Sequence, residues 1–203
     1  MDRSASPDRR SDAWRALEAA QWDAAREAFE AVLALDPDSP DALEGYGLAV
    51  WFLGDVTAGI AARERAFEGY ARAKRCDDAA RIAVWVSHQH LIGGRASAAR
   101  GWLARAERAV ADIGDCPGRG WVAVERARHG ESVGECVEHA ERAMAIAREH
   151  GDGDLEVFAL SLLGRARVDA GEIPRGMGLL EEAMAAATAG RVRNVHTLAE
   201  AYC

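Results

Sequence analysis

Residues 39–75 read SPDALEGYGLAVWFLGDVTAGIAARERAFEGYARAKR, and the punctuation of this stretch sets the fold class. Ser39-Pro40 puts a proline at the first helical position, where its missing N–H would have been an orphan anyway. The helix it starts runs to about Leu53, and Gly54-Asp55 turns the chain. A second helix then carries Arg63, Ala66 and Phe67 to about Arg75. The glycine turn recurs: Gly54, Gly94, Gly130 and Gly171 stand at intervals of about 36 to 41 residues, each between two Ala-rich, helix-patterned segments. A fixed period with two helices per unit predicts an α-solenoid, in which each unit buries its apolar face against its neighbours. Such arrays present long surfaces and rarely do chemistry.

Outward from this unit the pattern weakens and returns. Residues 1–10 carry Ser, Pro and mixed charge without periodicity and read as a disordered tail, leaving 11–203 as one helical repeat domain. Ser11-Asp12 offers an N-cap for a first helix to about Ala20, and a second, from about Trp22 to Leu35, stops before Asp36-Pro37. Asp77-Asp78 opens a third unit, whose second helix carries Ala99, Leu103 and Ala106. A fourth has a short first helix, about Trp121 to His129, followed by Cys136, Ala140 and Ala143. A fifth has Gly176, Leu180 and Ala183 at the same spacing of four and three. A last helix begins near Arg191 and is cut off at Cys203, leaving nothing to cover it.

Several of these positions carry a family pattern. Ala25, Phe29, Val32 and Pro37 resemble the second helix of a tetratricopeptide repeat (TPR), with Val32 in place of the usual alanine. Tyr46-Gly47 and Leu163-Gly164 stand where that family has a Leu-Gly pair. The resemblance implies a right-handed α-solenoid of about five helix-turn-helix units plus a truncated final helix. The blocks Ala42-to-Gly54, Gly101-to-Arg108 and Asp154-to-Gly176 are similar to the TPR segments of large LuxR-type (MalT-like) bacterial transcriptional regulators. In that group the repeats sense or bind a partner and a helix-turn-helix further on binds DNA. This chain stops before any such segment, so it is expected to be a fragment or a stand-alone module that does not itself touch nucleic acid.

Composition narrows the function classes. The chain has 203 residues, is 49% hydrophobic and only 6% aromatic, and carries a net charge of −8, which argues against a phosphate-backbone partner. The basic residues are almost all arginine, Lys74 being the only lysine. Four cysteines (Cys76, Cys116, Cys136, Cys203) lack any C-x-x-C spacing and read as free thiols. With no secretory h-region and no long apolar run, the chain is expected to be soluble and cytoplasmic, with no membrane contact.

No residue set predicts catalysis, a metal or a cofactor. His88 and His90 are two apart on a helix, so their directions diverge by about 200° and they cannot share an ion. His90 is placed on the buried stripe and His88 on the groove side. Gly151-Asp-Gly-Asp154 lacks the alternating oxygens and distal Glu of a calcium loop and reads as a helix end followed by a cap. Cys136 and His139 are three apart, but Cys136 sits where the repeat wants a small buried residue.

What remains is a groove. Transferring the family's spacing places Glu44, Leu48, Trp51 and Phe52 on the concave surface from the second unit. Arg81, Val84, His88 and Leu91 follow from the third, and Ser161, Arg165 and Asp169 from the fifth. Mixed aromatics, aliphatics and single charges are a composition common at recognition hot spots; simple burial of Trp51 and Phe52 between helices is the alternative. The Lys and Asn pair with which some TPR co-chaperones clamp a peptide carboxylate is replaced by Glu44 and Leu48, and by Val84 and His88. The implied function is a non-enzymatic binding module for a peptide, protein or small effector, such as the sensor part of a transcriptional regulator. The alternative is a homo-oligomeric assembly protein, in which Val195, Leu198 and Tyr202, on one face of the last helix, dock on a second copy as a homodimer contact.

Overall fold

Small residues twelve positions apart hold the helix pairs together. In the computed structural model, which describes residues 5–202, Gly47 and Gly59 face each other where two helices cross. A Cβ on Gly47 would come within 2.8 Å of the Gly59 carbonyl oxygen, and one on Gly59 within 2.8 Å of the Gly47 carbonyl. Gly164 and Gly176 repeat the arrangement at 3.0 and 2.6 Å. Ala13 and Ala25 are both fully buried at the same spacing. The third unit uses Ser87, whose Oγ donates to the Ala99 carbonyl at 2.9 Å. Backbones this close tolerate only the smallest side chains, so the small-residue pairs set the crossing points.

The helices among the described residues are α1 (Ala5–Glu18), α2 (Trp22–Leu33), α3 (Pro40–Phe52), α4 (Val56–Arg72), α5 (Cys76–Ile92), α6 (Ala96–Ala109), α7 (Pro117–His129), α8 (Val133–His150), α9 (Gly153–Asp169), α10 (Ile173–Thr188) and α11 (Val195–Tyr202). No strand occurs among those residues, and the structure is all-α. Three-residue connections join α1 to α2, α3 to α4, α5 to α6, α7 to α8 and α9 to α10, giving five helical hairpins. The chain divides into two compact units, residues up to Trp102 and residues from Leu103 on, with the boundary inside α6. In the first unit α2 packs on α3 and α4 on α5; in the second, α8 packs on α9, and α11 on α9 and α10.

Four of the five hairpin turns share one chemistry. After α3, Gly54 takes φ +96° and its N–H bonds the Trp51 carbonyl, while the Asp55 N–H reaches back to Val50. Gly94 and Gly171 repeat both bonds, as does Ala20, a non-glycine at φ +56°. This left-handed closure satisfies carbonyls that a helix end would otherwise leave open. The fourth turn departs from the expected pattern. Gly130 has φ −56° and ψ 134°, so it is not a left-handed turn residue. The chain leaves α7 extended, and α8 restarts by capping: Ser132 Oγ accepts from the Glu135 N–H, and the Glu135 carboxylate from the Glu131 N–H.

Three other boundaries differ from the sequence reading. Helix α1 begins at Ala5 rather than Ser11, since Pro7 falls in the first turn, where a missing N–H costs nothing; residues 1–4 lie outside the described residues. Helix α7 is not short. It starts at Pro117, the N1 proline after Cys116, and its 13 residues equal those of α3. Helix α11 starts at Val195 rather than near Arg191, because Asp154 Oδ1 accepts from the Arg193 and Asn194 N–H groups and pins that segment as a loop against α9. Helix α11 is also covered: Leu198 and Ala201 pack against a cluster of Val157, Leu160, Ala183, Ala186 and Ala187.

Candidate partner-binding surface

In the second hairpin the stripe of α4 that packs inward is Gly59, Arg63, Ala66, the spacing filled in other units by Ala25, Phe29, Val32 or by Gly176, Leu180, Ala183. A guanidinium therefore stands at a core position, and Arg63 is only 2% exposed. Its surroundings answer the charge. Glu44 of α3 is buried beside it and accepts from Arg81 of α5 through both oxygens, one of them at 3.0 Å, and from the Tyr70 hydroxyl at 2.7 Å. Gln89 of α5, with its amide oxygen turned toward them, accepts from Arg63 at 2.7 Å and from the Trp51 indole N–H at 3.1 Å. Arg81 also reaches Asp78 at 3.2 Å, and Arg75 forks onto Asp41 at 2.9 and 3.0 Å.

Burial would raise the Glu44 carboxyl, but the charge and hydrogen bonds of Arg81, with Tyr70, hold it below the usual carboxylate range. Burial pushes Arg63 down to about 9, against the pull of Glu44 and with the like charge of Arg81 adding to the shift. Arg81 is held above its ordinary value because Glu44 outweighs its burial. Burial and the Glu44 charge both push the Tyr70 hydroxyl up.

This network decides what the expected groove residues do. Glu44, Leu48 and Val84 are buried, and Arg81 is half-buried and committed to Glu44. Trp51, Phe52, His88 and Leu91 are half-buried and form the accessible part of the set. Phe52 stacks on Trp22 with centroids 4.3 Å apart and planes within 9°, while Trp51 meets it edge-on at 5.0 Å. With its indole nitrogen tied to Gln89, Trp51 is part of a fixed aromatic ledge whose third member, Trp22, spacing alone did not identify. His90, expected on the buried stripe, is half-buried: its Nδ1 accepts from Arg95 at 2.9 Å, and its Nε2 lies 3.5 Å from Glu64.

The second unit places its expected residues differently. Ser161 is half-buried and donates to the Val157 carbonyl at 3.0 Å. Arg165 and Asp169 are exposed and line a small cleft of about 50 Å³ with Ala127, Val133, Cys136 and Leu162. The matching face of α7 holds residues that the sequence reading did not single out. Glu125, fully buried, accepts from Arg128 at 2.8 Å and faces His129 Nε2 at 3.2 Å; Arg128 reaches Glu200 of α11 at 3.3 Å and lies over the Phe158 ring. These side chains stand where α3 has Leu48, Trp51 and Phe52, so the repeat register was the signal. On α11, Val195 and Leu198 are half-buried, while Tyr202 is 56% exposed with its hydroxyl 3.3 Å from Thr188 Oγ1.

Asp152 and Asp154 of the Gly-Asp-Gly-Asp stretch are used internally. Asp152 caps α9 at the Leu155 N–H and accepts from the Trp121 indole, and Asp154 anchors the loop before α11. No group of three or more His, Cys, Asp or Glu side chains arranged to hold a metal occurs among the described residues. Cys76, Cys116 and Cys136 are free thiols; Cys203 lies outside the described residues. No helix among those residues is long and apolar enough to cross a membrane.

No family model matches the sequence, and no curated protein matches it. Solved structures do resemble the fold. A Podosopora anserina putative kinesin light chain with nearly identical TPR-like repeats is 19% identical, with 95% of this chain and 100% of that one covered and a TM-score of 0.58. Cut9, from the APC/C Cut9–Hcn1 hetero-tetramer, is 15% identical with a TM-score of 0.63; the match covers 86% of this chain and 33% of that one. A human IFIT1 dimer with m7Gppp-AAAA is 17% identical, with 89% and 38% coverage and a TM-score of 0.53. The fold shared with these structures is the TPR-like helical repeat.

Proposed function

We propose that this chain is a non-enzymatic scaffold that binds a protein or peptide segment through the exposed faces of its hairpins. The principal contact in the first unit is the aromatic ledge of Trp51, Phe52 and Trp22. The observation that carries the reading is the ledge's rigidity: one ring stacked, one edge-on, and the indole N–H of Trp51 fixed by a buried glutamine. Aromatics held in place before binding lose little entropy on contact and supply large apolar area, the profile of a binding hot spot. The ligand that suits them is a segment offering apolar anchor side chains. In the second unit Arg165 and Asp169 supply exposed charges of both signs, which suits recognition more than burial.

The narrower reading, the sensor part of a LuxR-type transcriptional regulator, is supported by the three similar sequence blocks and by nothing in the geometry. Peptide display against the intact chain, followed by calorimetry, tests the proposal. Phe52→Ala and Trp51→Ala should each weaken the selected peptides by about tenfold or more with helicity unchanged. Equal affinity in both variants would remove the ledge from the binding site.

A further inference from the structure

The second unit contains a larger cleft that the partner-binding proposal does not use. It encloses about 310 Å³ between the end of α6, one face of α7 and one face of α8. Its lining gathers Arg119, Arg126, Arg142 and His139 against a single carboxylate, Glu107, with Val110, Val122 and Ala123 as an apolar floor. For a chain of net charge −8, three arginines on one cleft is a local reversal of sign. The placement follows from helix periodicity: Arg119 and Arg126 are two turns apart on α7, and His139 and Arg142 are three residues apart on α8.

Two of the arginines are fixed in advance. Arg119 donates to the carbonyls of Ile113 (2.7 Å) and Ala111 (2.9 Å), closing the segment that follows α6. Arg126 is held by Glu107 at 2.9 Å through Nε and 2.7 Å through Nη2, which leaves its Nη1 edge for a ligand. Arg142 is looser, 58% exposed, with Asp115 at 3.6 Å, beyond hydrogen-bond reach.

We infer that this cleft is a binding site for a small phosphomonoester, its phosphoryl group held by Arg126 and Arg142 and its organic body resting on Val110, Val122 and Ala123. A planar carboxylate satisfies one guanidinium edge, whereas a tetrahedral phosphoryl dianion presents three oxygens to the remaining N–H groups of guanidiniums arriving from different helices. Three guanidiniums against Glu107, with Asp115 beside Arg142, leave the cleft net positive, which favours an anion. The volume exceeds what inorganic phosphate fills, which leaves room for the body of the molecule. The inference rests on residues of the second compact unit and the aromatic ledge on residues of the first, so either can fail alone.

Titration calorimetry of the intact chain at low ionic strength, where exposed charges are least screened, tests it with inorganic phosphate, phenyl phosphate and benzoate. Phenyl phosphate should bind at least about threefold tighter than inorganic phosphate, and benzoate about tenfold weaker than phenyl phosphate. Arg142→Gln, on an exposed side chain that leaves the fold alone, and Arg126→Gln, checked for helicity by circular dichroism, should each weaken phenyl phosphate by about tenfold. No binding, benzoate as tight as phenyl phosphate, or affinity unchanged in Arg142→Gln would each overturn the assignment. A phosphoserine peptide that outcompetes phenyl phosphate would overturn the small-molecule source.

Discussion

Two buried carboxylates, Glu44 in the first unit and Glu125 in the second, solve the same problem in different ways. Glu44 draws its partners from far along the chain: Tyr70 of α4 and Arg81 of α5, 26 and 37 residues away. Glu125 takes Arg128 and His129 from its own helix, three and four residues on, and Arg128 extends the cluster to Glu200 of α11. The first cluster ties three helices together and, through Gln89, holds the aromatic ledge. The second mostly orders one helix end and tethers a terminal helix. A buried charge cluster is weak evidence for net stability, but removing one partner from it is costly. The difference in reach therefore predicts a difference in cost.

The largest expected effect comes from Glu44→Ala. It leaves two guanidiniums, Arg63 and Arg81, in the first unit with the carboxylate between them gone, and should cost about 3–5 kcal/mol in urea unfolding. A double-mutant cycle with Arg81→Ala should show strong coupling, since the two side chains share both carboxylate oxygens. A cost under about 1 kcal/mol would mean the network is an ornament on a core already stable without it.

The same carboxylate gives a pH signature. Its folded pKa lies below its usual 4.5, so its stabilisation is complete above that value and is lost as pH falls through the folded value. Glu44→Gln should melt below the parent chain at neutral pH, and the gap should close on acidification below about pH 4.5. A gap that is constant from pH 7 to pH 3 would contradict the charge-based account of the network.

Glu125→Gln sharpens the contrast. The carboxylate is fully buried, yet Arg128 keeps Glu200 and its place over Phe158, so the cost should be about 1–3 kcal/mol, smaller than that of Glu44→Ala. If the two substitutions cost the same, reach along the chain is not what sets the energy.

Residue spacing exposes the hairpins readily, because helix crossing points demand small side chains and Gly47/Gly59 and Gly164/Gly176 show them directly. The Gly130 turn departs from expectation because a glycine at the right period looks the same in sequence whether or not its φ is positive. The polar network is visible in outline: an arginine at a stripe position otherwise apolar is a conflict that a folded chain must answer. Its answer, from Glu44, Arg81 and Gln89 on other helices, depends on packing that spacing alone does not encode. Glu44, Leu48 and Val84, expected on the groove, are buried, and spacing alone does not separate a helix face that packs on another helix from the face beside it. The Glu125 cluster is hidden from spacing because a helix read from about Trp121 falls out of register with α3, whereas α7 starts at Pro117.

Two substitutions on α11, the second with the smallest effect expected, separate its two readings. Leu198 packs on the α9–α10 cluster, whereas Tyr202 is mostly exposed. Leu198→Glu should therefore destabilise the second unit by about 1–3 kcal/mol through a charge forced against apolar side chains. Tyr202→Glu should change stability by no more than about 0.5 kcal/mol, because its contact with Thr188 is solvent-exposed. Sedimentation of the parent chain and of both variants adds the second readout. If the helix serves only its own unit, all three sediment alike. If it also carries a homodimer contact, Tyr202 is the side chain placed to make it, and Tyr202→Glu should lower the sedimented mass while leaving the melting temperature of the diluted chain in place.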